Sequence, residues 1–248
     1  MSIELVNIHK AFGEKKVLQG FSLTIDSGQT MSVIGASGSG KSVTLKHIIG
    51  LLRPDVGEVW VDGENIARLD QASVYRIRRK VGFVFQFAAL FDSMTIAQNV
   101  AMGLERMETY SDAEIRDRVE SCLERVDLPG YGDRMPSQLS GGQRKRVGFA
   151  RAIATEPDYI LYDEPTTGLD PITKAVIDEL IMRMADELGV TGVVITHDMD
   201  SAFKISDRIA MLHEGRNRIE GTPDEIQATE DPVVKGFIEG RPELLETA

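Results

Sequence analysis

The stretch "GASGSGKS" at Gly35–Ser42 decides the fold, because it matches the pattern G-x-x-x-x-G-K-[ST] without exception. The apolar segment "MSVIG" at Met31–Gly35 precedes it, and "KSVTLKHIIGLL" at Lys41–Leu52 follows with the apolar spacing of a helix. This order predicts a strand, a glycine-rich loop and a helix, with the backbone N–H groups of the loop facing one point. Such a loop binds phosphate at the helix N-terminus. The alternative is a Gly/Ser-rich surface loop.

Each residue type in this loop has a chemical reason. Glycine allows the backbone to curl tightly, Lys41 supplies a mobile cation for the β- and γ-phosphates of a nucleotide, and Ser42 offers a hydroxyl to Mg²⁺. The predicted nucleotide-binding residues are Gly35, Ala36, Ser37, Gly38, Ser39, Gly40, Lys41 and Ser42.

Two adjacent carboxylates follow a second apolar run, "YILYDEP" at Tyr159–Pro165. Asp163 is therefore expected at the carboxyl end of a buried strand, where ligands bind in open α/β sheets. There it can hold Mg²⁺, whereas Glu164 points elsewhere and can reach the attacking water. The alternative is a strand-end turn with solvated acids.

The composition is that of an ordinary globular protein, with 248 residues, 42% hydrophobic, 27% charged and a formal net charge of −11. The acidic balance argues against a general nucleic-acid binder. We find no apolar run long enough to span a bilayer and no secretory signal, so a cytosolic location is expected. Cys122, the only cysteine, lies in a helical pattern and is interpreted as a core residue.

The pattern along the chain predicts the fold class. Short alternating runs near the N-terminus favour an antiparallel β subdomain, whereas buried strands alternating with helices favour a mostly parallel, helix-covered sheet. One predicted helix begins at Ser111 with a capping box to Glu114, and another ends at Gly189. We predict an α/β P-loop nucleotide hydrolase of one domain (1–248), with a helical subdomain at about 87–157 and a C-terminal tail at about 231–248.

A second glycine-rich helix start, "QLSGGQRKR" at Gln138–Arg146, identifies the family that the chain resembles. With the two motifs above, it resembles the ATP-binding cassette (ABC) ATPases. The resemblance implies that ATP and Mg²⁺ are the cofactors and that two copies dimerise head to tail. The signature residues of one copy then close over the ATP of the other; they are Ser140, Gly141, Gly142 and Gln143. The alternative is a serine N-cap with a glycine turn.

The resemblance also assigns roles to isolated residues. Phe12 matches the aromatic residue under the adenine, with plain core packing as its alternative. Gln86 in "VFQF" matches the glutamine that touches Mg²⁺, and Asp170 in "TTGLDP" matches the loop that communicates across the dimer. His197 in "VVITHD" matches the histidine that contacts the γ-phosphate and, with Glu164, forms the catalytic pair. A structural hydrogen bond is the alternative for His197.

The subclass follows from length and spacing. The number of residues between Lys41 and Asp163 leaves no room for a long coiled coil. One cassette is present, without a fused membrane span. The chain therefore resembles the ATPase subunit of a transporter, peripheral on the cytoplasmic face of the inner membrane. Its partner is an integral membrane permease that docks near Gln86–Thr95. A generic apolar loop is the alternative for Ala88–Phe91.

The transported substance is the finest expectation. "ALFDSMTIAQNVA" at Ala89–Ala101 and "DPVVKGFIEGRPE" at Asp231–Glu243 resemble the ATPases of Mce-associated, Mla-type phospholipid transporters. That resemblance implies an Mce-domain protein and an accessory subunit as partners, and phospholipid transport that maintains outer-membrane asymmetry. The alternatives are an importer of amino acids or another solute, a soluble non-transport ABC regulator, and a small-molecule kinase. The tail after Asp231 is expected to reach the partner ATPase.

Overall fold

The computed structural model describes residues 2–107 and 109–241 and confirms the predicted alternation of strands and helices. The strands, in chain order, are β1 (Ser2–Phe12), β2 (Lys15–Asp26), β3 (Thr30–Ile34), β4 (Val56–Val61), β5 (Glu64–Asn65), β6 (Val81–Val84), β7 (Tyr159–Asp163), β8 (Thr191–Thr196), β9 (Arg208–His213) and β10 (Arg216–Gly221). The helices are α1 (Lys41–Ile48), α2 (Gln71–Arg78), α3 (Ile96–Glu105), α4 (Asp112–Arg125), α5 (Gly141–Ile153), α6 (Pro171–Leu188), α7 (Met199–Ile205), α8 (Pro223–Gln227) and α9 (Pro232–Glu239).

The chain divides into two compact units. The first unit comprises the chain up to Ile77 and again from Thr191 onward, and the second unit is Arg78–Val190. The phosphate loop and His197 belong to the first unit. The predicted signature residues, the acidic pair and Gln86 belong to the second unit.

The first unit contains the antiparallel β subdomain that the N-terminal alternation predicts. Strand β1 pairs in antiparallel fashion with β2 and β4, and β4 pairs with β5. Ile3 and Leu5 of β1 are buried, as is Ile8 beyond a shift in strand register, which gives the sheet one apolar face.

The first unit also contains parallel strands that carry functional residues at their ends. Strand β3, fully buried along its length, pairs in parallel with β8 and β9, and β10 pairs with β9 in antiparallel fashion. A core cluster joins β9 to the two last helices, since Ile209 and Met211 pack with Ile226 and Val234. Helix α9 therefore belongs to the first unit's own core. The predicted contact of the tail with a partner ATPase stays a prediction, and residues 242–248 of that tail lie outside the described residues.

The second unit combines a parallel strand pair, β6 with β7, with the helices α3 to α6. Ser111 caps α4 in the predicted capping box with Glu114, and Gly189 ends α6 in the left-handed conformation. Cys122 is buried on α4, as predicted, and burial raises the pKa of its thiol to about 11. It is therefore a packing residue rather than a reactive thiol.

The first helix is shorter than its apolar pattern. Helix α1 ends at Ile48, although the apolar spacing continues to Leu52. Ile49 leaves the helical conformation and Gly50 has a φ of 62°, which stops the helix in a glycine turn.

Candidate nucleotide-binding and catalytic site

The phosphate loop leaves β3 at Gly35 and enters α1 at Lys41. A β-carbon at Gly35 would collide with the carbonyl oxygen of Leu212, and one at Gly40 would lie 2.8 Å from Val17 Cγ1. Gly40 also has a φ of 113°, a conformation that L-residues rarely adopt. Close packing behind the loop therefore requires glycine at these two positions, in addition to the curl that the sequence predicts.

The donors of this loop fit a polyphosphate. The ammonium group of Lys41 is buried and donates to the carbonyl oxygens of Gly35, at 2.8 Å, and Ala36, at 3.2 Å, so it is held within the loop. The Oγ atom of Ser39 is buried and has no hydrogen-bond partner among the described residues. No side chain in the described chain caps the start of α1. A helix start of this kind presents backbone N–H groups and a positive dipole end to an anion.

His197 lies at the same sheet edge as the phosphate loop. Strands β3 and β8 are parallel neighbours in which Ile34 is opposite Thr196, so Gly35 and His197 are the next residues on adjacent strands. The side chain of His197 is exposed. The fold thus brings His197 to the strand end that leads into the phosphate loop, which the sequence alone could not establish.

In the second unit, Gln86 and Asp163 lie at one sheet edge. Strands β6 and β7 are parallel, with Val84 opposite Tyr162, and Asp163 is the last residue of β7. Gln86 follows Val84 by two residues. The expectation that Asp163 ends a buried strand is confirmed, since the four preceding residues of β7 are buried.

Glu164 begins a turn with an unusual backbone. Its φ is 50°, in the left-handed region, and its side chain is 9% exposed. The carboxylate oxygen Oε2 accepts a hydrogen bond of 3.0 Å from Thr167 Oγ1. Asp163 lies in the strand and Glu164 in the turn, so the two adjacent carboxylates have different backbone conformations. Their division of roles stays a prediction.

Lys145 supports this turn, and sequence reasoning missed it. Its Nζ atom donates to the carbonyl oxygens of Pro165, at 2.5 Å, and Thr167, at 2.9 Å, and contacts that of Glu164 at 3.5 Å. Burial lowers the pKa of Lys145 to about 8, and the charge of Glu164 opposes that effect. The amine is therefore still mostly protonated at pH 7.

The signature residues begin helix α5 with a capping box. The side chain of Ser140 accepts from the backbone N–H of Gln143, and the side chain of Gln143 accepts from the backbone N–H of Ser140. The alternative interpretation, a serine cap with a glycine turn, thus describes the isolated chain correctly. It does not exclude the role in nucleotide binding, because Gly141 at the helix start is exposed.

The signature helix touches the start of α6. A β-carbon at Gly142 would lie 2.5 Å from Thr173 Cγ2, so only glycine fits there without a shift. The hydroxyl of Thr173 donates to Asp170 Oδ2 at 2.6 Å, and Asp170 caps α6 by accepting from the N–H groups of Ile172 and Thr173. These bonds hold the pKa of Asp170 below its ordinary value, with the Thr173 hydroxyl as the largest cause.

Phe12 is the last residue of β1, and its side chain is 48% exposed. The ammonium group of Lys10 lies 5.7 Å from the centroid of its ring. A half-exposed ring fits a stacking surface for a flat base better than it fits plain core packing. The adenine contact itself stays a prediction.

The loop between β6 and α3 has a fixed backbone and exposed aromatic side chains. Arg151 of α5 donates to the carbonyl oxygens of Ala88, at 2.6 Å, and Ala89, at 2.7 Å. At the other end of the loop, buried Asn99 donates to the carbonyl of Phe91 and accepts from its N–H. Phe87 is nevertheless 81% exposed, and Phe91 is 51% exposed.

A glycine-rich loop between a parallel strand and a helix, with a buried lysine and a strand-end carboxylate, defines the class of P-loop nucleotide hydrolases. The family model described as ABC transporter matches residues 18–167, and the chain belongs to this family. It is an ABC-type ATPase whose cofactors are ATP and Mg²⁺.

Named relatives and solved structures agree with this family. The sulfate/thiosulfate import ATP-binding protein CysA of Caulobacter vibrioides is 42% identical over 242 residues, which are 96% of this chain and 70% of that protein. The methionine import ATP-binding protein MetN of the same organism is 44% identical over 216 residues, 87% of this chain and 65% of that protein. The chain thus spans about two thirds of these relatives. The dimeric post-hydrolysis structure of the ATP-binding cassette MJ0796 with ADP and Pi is 38% identical, with a TM-score of 0.81, and covers 89% of this chain and 98% of that one.

In the described part of the chain, every helix is too short or too polar to span a membrane. Among the same residues, no three or more His, Cys, Asp and Glu side chains gather into a metal-binding group. Mg²⁺ in nucleotide sites characteristically binds through one or two carboxylates together with the substrate phosphates.

Proposed function

We propose that this chain is the ATP-hydrolysing subunit of an ABC importer that drives a membrane permease. The likeness to CysA and MetN, whose names describe import, supports an importer of a small solute. It favours this function over the soluble regulator and the small-molecule kinase. The cytoplasmic face of the inner membrane is part of the same proposal.

The proposed chemistry divides among the predicted residues. Lys41 stabilises charge on the β- and γ-phosphates, while Ser42, Asp163 and Gln86 hold Mg²⁺. Glu164 polarises the attacking water. ATP supplies the bond that is cleaved, and catalysis consists mainly of positioning and charge stabilisation.

His197 and Phe12 have supporting roles in this proposal. His197 hydrogen-bonds the γ-phosphate, and its proximity to the phosphate loop along adjacent strands supports that role. Phe12 stacks under the adenine with its exposed ring.

Two copies of the chain form the working assembly in this proposal. Ser140 to Gln143 of one copy bind the ATP held by the other, and Asp170 lies at the loop that communicates between them. The dimeric state described for MJ0796 supports this assembly. In the isolated chain the Ser140 hydroxyl is bonded to its own helix, so nucleotide binding would exchange that contact for a phosphate contact.

The observation that carries the transporter proposal is the exposed loop at Gln86–Thr95. Single exposed apolar residues are ordinary, but Phe87 and Phe91 lie on a backbone fixed by Arg151 and Asn99. Aromatic side chains on a fixed backbone can enter a partner's surface at little entropic cost. A permease is the partner that fits this surface beside Gln86.

Phospholipid transport is the second candidate. Its support is the resemblance of Ala89–Ala101 and Asp231–Glu243 to Mla-type ATPases, which would bring an Mce-domain protein and an accessory subunit into the complex. The relatives described above have names that mention sulfate, thiosulfate and methionine. The importer of a solute is therefore the better supported of the two.

A purification from native membranes tests the permease partner. A tagged chain should extract an integral membrane protein in mild detergent, and Phe87→Ser should lose it while retaining ATP binding. Tyr75→Ser is the control, because Tyr75 is another exposed aromatic residue, 49% exposed, but lies on α2 in the first unit. Extraction of no membrane protein, or equal extraction by the Phe87→Ser chain, would contradict the proposal.

The same complex distinguishes the two substrate classes. Reconstituted in liposomes, it should show ATP hydrolysis that depends on a small solute and its binding protein. Hydrolysis that responds instead to phospholipid and to a co-purified Mce-domain protein would favour the second candidate.

A further inference from the structure

Lys145 is a buried cation in the second turn of α5, 6% exposed. Within the described part of the chain, its hydrogen bonds go to backbone groups of the turn after β7. An ammonium group has three donor hydrogens and no acceptor. Here they face three carbonyl oxygens, those of Glu164, Pro165 and Thr167. The match of three donors to three acceptors fixes the turn at several points.

The turn needs such support because its first residue has an unfavourable backbone conformation. Glu164 has a β-carbon and a φ of 50°, which lies in the left-handed region. A residue other than glycine keeps this strained conformation only when the surrounding structure holds it there. The carboxylate of Glu164 is also bonded to Thr167, whose own carbonyl is held by Lys145. Lys145 thereby fixes both the backbone of Glu164 and the residue that orients its side chain.

We propose that Lys145 is a positioning residue for ATP hydrolysis, which holds the Glu164–Thr167 turn so that the Glu164 carboxylate stays in its working orientation. The proposal rests on the role of Glu164 stated under the proposed function. Lys145 itself does not touch the reacting atoms in this proposal and acts through Glu164.

The position of Lys145 also joins the turn to the signature residues. Gly142, one turn earlier on the same helix, packs directly against Thr173, which bonds Asp170. The first two turns of α5 therefore contact both ends of the segment from Glu164 to Thr173. A signature helix that moves on nucleotide binding would carry the Glu164 turn with it.

The test measures kcat and KM for ATP hydrolysis. It uses the full chain, or the complex of the chain with its permease where that complex has been purified. Lys145→Met keeps a long unbranched side chain but removes the donors and the charge. We expect kcat for ATP hydrolysis to fall at least about tenfold while KM for ATP changes less than about twofold, since misplacing a catalytic group mainly lowers the rate of the chemical step.

Arg146→Met is the matched control for a purely structural loss. Arg146, the next residue on α5, also donates to two backbone carbonyls, those of Val126 and Asp127, but these lie after α4. The Arg146→Met variant should have a lower melting temperature but an unchanged kcat. Lys145→Gln, which retains amide donors on a shorter side chain, should recover part of kcat and provides the same comparison if Lys145→Met does not fold.

Three outcomes would overturn the proposal: a kcat for Lys145→Met within twofold of wild type, a rise in KM at unchanged kcat, or an equal loss of kcat in Arg146→Met. If Lys145→Met does not fold, a wild-type kcat in Lys145→Gln overturns it as well. Failure of the proposed function would give a different result, because Glu164→Gln would then keep wild-type turnover. A Glu164→Gln chain without turnover, beside a fully active Lys145→Met chain, rejects the role of Lys145 alone.

Discussion

Two helices of the chain begin at a glycine-rich segment, and they differ in how the backbone N–H groups of the first turn are hydrogen-bonded. At α1, Gly40 precedes the helix, no side chain of the described residues caps it, and the Lys41 ammonium is held inside the loop. At α5, Ser140 and Gln143 cap each other in a complete capping box. Both sequences read as anion-binding loops, yet only the first is left without a cap.

The difference teaches which loop depends on a ligand. The uncapped start of α1 offers N–H groups for which phosphate is the natural acceptor, so its pattern of glycine and lysine is explained by binding. At the start of α5, the capping box satisfies the N–H groups of Ser140 and Gln143 without any ligand. In the proposed assembly, ATP would bind first at the phosphate loop, and the signature residues of the other copy would be added in a second step.

The largest expected effect breaks the first loop. Lys41→Ala should lower kcat/KM for ATP hydrolysis at least about 10³-fold, because it removes the cation that we propose stabilises the β- and γ-phosphates both in binding and in the transition state. Steady-state phosphate release measures this. Lys46→Ala, an exposed lysine on the same helix, is the control and should stay near wild type. Comparable losses in both variants would mean that general electrostatics, rather than the loop, binds the nucleotide.

An intermediate effect separates binding from chemistry. Glu164→Gln should lower kcat about 10²-fold or more, because it removes the carboxylate that we propose polarises the attacking water, while ATP binding by the phosphate loop remains. With both loops intact, this variant should accumulate as an ATP-bound dimer, seen by size-exclusion chromatography with and without ATP. A monomer at saturating ATP would contradict the role of the signature loop in dimerisation.

The smallest expected effect sharpens the second loop. Ser140→Ala and Ser111→Ala each remove the serine of a capping box in the same unit, and each should cost about 0.5–2 kcal/mol of stability. In the Glu164→Gln background, only Ser140→Ala should also weaken the ATP-dependent dimer. Equal dimerisation of the two variants would reduce Ser140 to a helix cap.

Much of this architecture could be predicted from the sequence, because its signals are local. The phosphate loop follows from glycine and lysine at fixed spacing, and the buried strand before Asp163 follows from a continuous apolar run. The capping box at Ser111 needs only two residues three positions apart. In each case the interacting groups are close in the chain, so their pattern is visible without the fold.

The features that could not be predicted depend on contacts between groups that are distant in the chain. Nothing in "QRKR" indicates that Lys145 reaches carbonyl oxygens about twenty residues later, because every residue has a carbonyl and its direction is set by the fold. The bonds from Arg151 to Ala88 and Ala89 are missing from the sequence pattern for the same reason. Even the need for glycine at Gly142 comes from Thr173, on a helix that packs beside it.

The contacts along helix α5 connect three functional segments of the second unit. Arg151 attaches one part of it to the exposed aromatic loop, Lys145 attaches another part to the Glu164 turn, and Ser140 begins it. From Ser140 to Arg151 a helix rises about 16 Å at 1.5 Å per residue. A helix of that length is a stiff rod, so a push on the loop at Ala88 and Ala89 tilts the signature end as well. In the proposed assembly, a partner that displaces the loop at Ala88 and Ala89 would therefore also shift the signature residues, which we propose contact the nucleotide of the other copy.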